Sequence, residues 1–169
     1  LKLHDIPTTV NKAARVLGAL GASYLTVHAH GGVDMLRAGV EGLDAGAANA
    51  GMPAPSAIAV TVLTSDDTAP PHILAKRIAA AIDGGCRGIV CAAGDVREAK
   101  QLAPRLIAVV PGIRLSGTER HDQARAATPD LAIEAGADLL VIGRTVTGAP
   151  DRAHAAALVA GAVAAASAA

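Results

Sequence analysis

Lys2 and Asp5 stand three residues apart in Lys2-Leu3-His4-Asp5-Ile6-Pro7 at the head of the chain. They look like the latter part of an Asp-x-Lys-x-x-Asp pattern, whose first carboxylate would precede Leu1. Alternate residues of a strand share a face, so a lysine two positions after a carboxylate would lie beside it. An ammonium held among carboxylates stays protonated and can serve as a positioned acid. Asp5 has the other parity, but Pro7 turns the chain there and the alternation no longer binds it. Taken by themselves, the two residues also fit a surface ion pair at a strand end.

Three further segments carry polar groups after apolar runs. Val141-Ile142 leads into Gly143-Arg144, where a glycine lets the backbone approach a ligand and an arginine offers a fork suited to phosphate. A helix-capping arginine is the plain alternative. Val110-Pro111-Gly112-Ile113-Arg114 opens a long polar stretch that continues through His121-Asp122-Gln123-Ala124-Arg125. Its length suits a loop that closes over a phosphorylated ligand, against an ordinary solvated connection. Thr61-Val62-Leu63-Thr64-Ser65 places hydroxyls at a strand end, where one could bond a ring amide or carbonyl. His28 and His30 also stand at a strand end, and a hydrogen-bonded structural role suits them better than metal binding.

The elements that must position these groups alternate. Strand candidates are 1–5, 24–29, 58–63, 88–91, 106–110 and 139–142, nearly continuous apolar runs of the kind buried on both faces. Helical periodicity lies between them, in Val33, Leu36, Val40 and Leu43, then Leu74, Ile78 and Ile82, and in the alanine-rich tail from Asp151. Thr128-Pro129-Asp130 reads as a helix start, and Gly84-Gly85 as a helix stop. Such alternation predicts a parallel sheet with right-handed crossovers, either doubly wound or a (β/α)₈ barrel. Six units fill 169 residues, whereas a full barrel of about 250 residues has eight. If the sheet is a barrel, the expectation is a single incomplete barrel domain over residues 1–169.

Composition narrows the function. The chain is 51% hydrophobic and 18% charged, with fifteen basic and fifteen acidic residues. A balanced charge gives no support for nucleic-acid or membrane partners, and no apolar run reaches membrane-spanning length. Phe and Trp are absent and Tyr24 is the single aromatic, so the core must be aliphatic. Cys86 and Cys91, at an odd spacing around one apolar run, read as buried structural thiols without a disulfide or metal role. They suit a cytoplasmic protein.

In order and spacing, these segments resemble the orotidine 5′-phosphate decarboxylases, along nearly the whole chain. The resemblance rests on Leu1 to Val10, on Thr26-Val27-His28-Ala29 with Gly31-Gly32, and on Val60 to Ser65. Pro111-Gly112-Ile113-Arg114 with Asp122-Gln123-Ala124-Arg125 and Thr128-Pro129 carries it furthest. Ala135-Gly136-Ala137-Asp138 leading to Gly143-Arg144 completes it. The resemblance implies a (β/α)₈ TIM barrel, working as a cytoplasmic homodimer without cofactor or metal, that converts orotidine 5′-phosphate to UMP. By the family pattern Lys2 protonates the carbon that loses carbon dioxide, and Asp5, with Ile6 and Thr9, reaches the neighbouring subunit's site. Thr64 matches the pyrimidine contact, and Arg114, Gln123, Gly143 and Arg144 match the phosphate site.

The family also uses an aspartate on its first strand, a lysine on its second and the leading aspartate of the motif. None has a counterpart in this sequence. The expectation is therefore an N-terminally truncated chain holding about six of eight units, with little activity alone. Two alternatives accompany it: a related phosphate-binding barrel decarboxylase or synthase dependent on metal, and a non-catalytic incomplete barrel that pairs with another chain.

Overall fold

A computed structural model describes residues 1–115 and 125–168. Six parallel strands form one sheet: β1 (Lys2–Leu3), β2 (Tyr24–His28), β3 (Ser56–Val60), β4 (Gly88–Val90), β5 (Ile107–Val110) and β6 (Leu139–Leu140). Their spatial order follows the chain, β1 through β6. A doubly wound sheet reverses its order at a switch point. A sheet without reversal keeps its crossover helices on one face, as a barrel does.

The register separates the two faces. Leu25, Val27, Ala57, Ala59, Ile89, Ala108 and Val110 belong to the main apolar core together with helix residues such as Val10, Leu36, Leu74, Ile78 and Val96. The alternate residues point the other way. Lys2 pairs with Thr26, Thr26 with Ile58, Ile58 with Gly88 and Gly88 with Ile107, all on the face turned from the helices. Gly88 admits no side chain there, since a Cβ would lie 2.8 Å from Ile58 Cδ1 and 2.6 Å from the Ile107 oxygen.

Helix α1 (Pro7–Gly18) starts directly after the Lys-x-x-Asp segment, with Pro7 in its first turn. The proline that reads as a turn in sequence is thus a helix start, where its missing N–H costs nothing. Helix α2 (Gly32–Ala50) carries the expected Val33–Leu43 stripe and closes on Gly51 at φ 63°. Three glycines let α1 and α2 touch through their backbones. A Cβ on Gly46 would lie 2.7 Å from the Arg15 carbonyl carbon, one on Gly42 3.1 Å from that of Asn11, and one on Gly18 3.1 Å from that of Leu43.

Helices α3 (His72–Asp83) and α4 (Ala93–Leu102) follow β3 and β4. Leu74 and Ile78 are buried, but Ile82, one residue before α3 ends at Asp83, is half exposed. After β5, α5 (Pro129–Glu134) begins at Thr128 as expected, α6 (Arg144–Thr147) follows β6, and α7 (Arg152–Ser167) is capped by Asp151 accepting from the His154 N–H at 2.9 Å. Strand β3 lies two to three residues earlier than the apolar run suggests. Thr61 ends it: its hydroxyl bonds the Val90 carbonyl at 2.7 Å, and Arg77 of α3 takes the Thr61 carbonyl at 2.7 Å. Cys86 and Cys91 flank β4, free and buried in the same core, and burial pushes both thiols up to about 12. Among the described residues no helix is long and apolar enough to cross a membrane.

Candidate functional site

The strands are parallel, so the residues following each of them emerge at one end of the sheet. Asp5 after β1, His30 after β2, Thr64 after β3, Arg114 after β5 and Gly143-Arg144 after β6 all belong to that end. Gln123 lies outside the described residues.

Lys2 is exposed on the face turned from the helices, and the Thr26 hydroxyl donates to the Leu1 carbonyl beside it. Three histidine rings gather next to it. His4 and His28 have centroids 5.1 Å apart, His4 and His30 5.6 Å, and His28 and His30 6.2 Å. His28 Nδ1 accepts from the His30 N–H at 3.3 Å, which requires an unprotonated nitrogen. Burial, then the charges of His4, Arg77, Lys2 and His30, lower the His28 pKa to about 4. A neutral imidazole thus stands near the lysine. Sequence reasoning placed His28 and His30 together but missed His4, whose approach depends on how β1 and β2 pair. Among the described residues no group of three or more His, Cys, Asp or Glu could hold a metal ion.

Asp5, Ile6 and Thr9 face outward at the entry to α1, with Ile6 66% exposed. The Asp5 carboxylate accepts from the Ile6 N–H at 2.7 Å, which fixes its direction from the strand end. They are close in sequence to Lys2 and, like it, exposed.

Thr64 is buried, four residues beyond the end of β3, so it is held by a loop and not by the ladder. Its carbonyl accepts from the Arg125 N–H at 3.2 Å. The Arg125 guanidinium forms an ion pair with Asp95 in the first turn of α4. Neither Asp95 nor Arg77 stood out in the sequence. An acid in a first helical turn and an arginine on an amphipathic helix are both common, and only the assembled sheet shows what they reach.

The phosphate-site candidates within the described residues, Arg114 and Gly143-Arg144, meet at a second bonded turn. The Arg114 N–H donates to Ala127 O at 2.9 Å and the Ala127 N–H to Gly112 O at 3.3 Å, joining the segments on either side of residues 116–124. The Ile113 carbonyl accepts from Arg114 Nη1 at 2.8 Å and from the Thr145 hydroxyl at 3.0 Å. Thr145 thereby draws the start of α6, with Gly143 and Arg144, against the turn that carries Arg114. Arg114 is only 7% exposed, and its Nε has no partner among the described residues. Arg144 is exposed and stands first in α6. A Cβ on Gly143 would meet no atom within 4 Å, which leaves open space before that helix. The arrangement offers one buried and one exposed cation beside backbone N–H groups, which suits a phosphate.

Comparison with known proteins gives one answer. Residues 1–159 match the family model "Orotidine 5′-phosphate decarboxylase / HUMPS family". The chain is 44% identical over 171 residues to the orotidine 5′-phosphate decarboxylase of Thermobifida fusca, covering 95% of this chain and 70% of that protein. It is 46% identical over 167 residues to the enzyme of the same name from Anaeromyxobacter dehalogenans, again spanning 70% of it. The crystal structure of orotidine 5′-phosphate decarboxylase from Lactobacillus acidophilus superposes with a TM-score of 0.76 at 32% identity, over 96% of this chain and 73% of that one. The Sulfolobus solfataricus decarboxylase, 19% identical, shares the fold with a TM-score of 0.77 over 98% and 72%.

Proposed function

Because the chain belongs to the orotidine 5′-phosphate decarboxylase / HUMPS family, with relatives named as decarboxylases at 44% and 46% identity, we propose a division of labour for decarboxylation among its residues. The reaction is the conversion of orotidine 5′-phosphate to UMP in pyrimidine biosynthesis, on a partial (β/α)₈ barrel. The bond between C6 of the pyrimidine and its carboxylate breaks, its electron pair stays on C6, and carbon dioxide leaves. Lys2 supplies the proton that C6 takes up. An ammonium at that point stabilises charge where it develops, in the transition state.

Thr64 contacts the pyrimidine ring. Arg144, with Gly143 and the N–H groups at the start of α6, binds the phosphate, and Arg114 adds a buried positive charge behind it. Gln123 completes the phosphate contacts by the family pattern. Binding energy from this remote phosphate can offset strain at the reacting carbon. Asp5, Ile6 and Thr9 enter the site of a second copy in a homodimer; their outward placement and the exposed Ile6 side chain support this. Sedimentation showing only monomer in the presence of UMP would remove that part. The two free, buried thiols favour a cytoplasmic setting.

The observation that carries the reading is the gathering of Thr64, Arg114 and Gly143-Arg144 at one end of the sheet, bonded through residues 125–127 and Thr145. The test is thermal protection of the full chain by UMP. At a hundred times Kd, a ligand stabilises by about 2.7 kcal/mol. Arg144→Ala removes a charge-assisted contact of about 1.5–3 kcal/mol, so the protection should shrink to about 1.5 kcal/mol or less at the same UMP concentration. Undiminished protection in Arg144→Ala would show that the phosphate binds elsewhere.

A further inference from the structure

We propose that Asp95 is a positioning residue for the substrate site, holding residues 125–127 as a strap that sets the pyrimidine-contact loop and the phosphate turn at a fixed separation. The proposal rests on the reading of Thr64 and Arg114 given above.

The strap is bonded at both ends. At one end the Arg125 N–H donates to the Thr64 carbonyl at 3.2 Å. At the other, Ala127 exchanges two bonds with the Gly112–Arg114 turn, at 3.3 Å and 2.9 Å, and the Ile113 carbonyl in that turn accepts the Thr145 hydroxyl at 3.0 Å. Residues 126 and 127 are alanines, so Arg125 supplies the charged side chain that ties the strap to the helix layer. Its guanidinium pairs with Asp95 of α4, and the two side chains are 24% and 15% exposed.

The surroundings make that pairing selective. Arg125 and Asp95 line a cavity of about 310 Å³ whose wall also includes Asp66, Asp67 and Glu98. An Arg125 released from Asp95 therefore has other carboxylates to turn towards, at other places. The second Asp95 oxygen is buried without a hydrogen-bond partner among the described residues, so within them Arg125 is the side chain that holds this carboxylate. Decarboxylation needs ring and phosphate held together in one geometry, and displacement by about 1 Å can cost about a hundredfold in rate. Asp95 touches neither ring nor phosphate; it acts through Arg125.

The experiment uses the full chain and the variants Asp95→Asn, Asp95→Glu, Arg125→Gln and the Asp95→Asn/Arg125→Gln double variant. Asp95→Asn should weaken UMP binding about tenfold, Asp95→Glu should recover most of that loss, and the double variant should be no worse than the more affected single one. Amide hydrogen exchange forms an independent arm. Arg125, Arg114 and Ala127 should exchange at least about tenfold faster in Asp95→Asn, while Ala59 and Ile89 in the central strands keep their rates. Unchanged exchange at those three amides overturns the strap, as does strict additivity in the double variant. If the wild-type chain binds no UMP, the substrate reading fails and the exchange arm alone decides the strap. Should Asp95→Asn not fold, Arg125→Gln gives the same readouts.

Discussion

Replacing Gly46 by alanine sets two effects of opposite sign against each other. Gly46 lies inside α2, where glycine is about 1 kcal/mol worse than alanine, so propensity alone predicts stabilisation. The new methyl, however, would sit 2.7 Å from the Arg15 carbonyl carbon and 3.0 Å from its Cα. The obstacle is the backbone of α1, which cannot rotate aside as a side chain would. Overpacking of this kind costs about 1–3 kcal/mol and sometimes more, and at so close an approach the upper part of the range applies. The expected net loss is about 1–2 kcal/mol, or about 2–8 °C in Tm for a chain of this size. Gly161, inside the exposed α7, has no atom within 4 Å of a Cβ position, so Gly161→Ala should gain about 0.5–1 kcal/mol. Urea unfolding followed by far-ultraviolet circular dichroism reads both. A neutral or stabilising Gly46→Ala, with an unchanged m-value, would show that α1 and α2 do not meet through their backbones.

The His28 imidazole, held near pKa 4 in the fold against 6.5 when unfolded, takes up its proton only in the unfolded chain between those values. Stability therefore falls on acidification from pH 6.5 to 4, by about 1–2 kcal/mol after allowance for partial solvation, and His28→Asn should flatten that limb of the pH–stability curve. Cys86 and Cys91, with thiols pushed up to about 12, should react with a disulfide reagent at pH 8 about 10³-fold more slowly than a free thiol. Labelling of either cysteine in the native protein at the rate of an unprotected thiol would contradict their burial.

The sheet was readable because its strands lie in short apolar runs between helical periods, while the two faces that separate Val27 and Ala59 from Thr26 and Ile58 emerge only from the register. The end of β3 was not, since Val62 and Leu63 extend the apolar run while Arg77, sixteen residues further on, takes the Thr61 carbonyl that a continuing strand would use. Helix α1 was hidden by Pro7, which reads equally well as a turn and as a first helical residue. Thr64, Arg114 and Arg144 each follow an apolar run in the sequence, but the roles proposed for them come from the family resemblance and not from residue type alone. The bonds that bring them into register run through Arg125, Ala127 and Thr145. Those are main-chain or short hydroxyl contacts between distant segments, and they leave little trace in local spacing.

The unequal lengths of the ladders have a consequence for local opening. Strands β2 and β3 share five register pairs, whereas β1 with β2 and β5 with β6 share two each. Short ladders at the margins of a sheet fray at a small fraction of the global unfolding free energy. Lys2 rides on one of these, and Gly143-Arg144 follows the other. The proposed proton donor and the proposed phosphate cation thus stand on or beside the two shortest ladders of the sheet, separated by its most extensively paired part. A ligand that engages both draws its affinity partly against that fraying, and a partner surface pressed on α1 would lend β1 order that two register pairs do not supply.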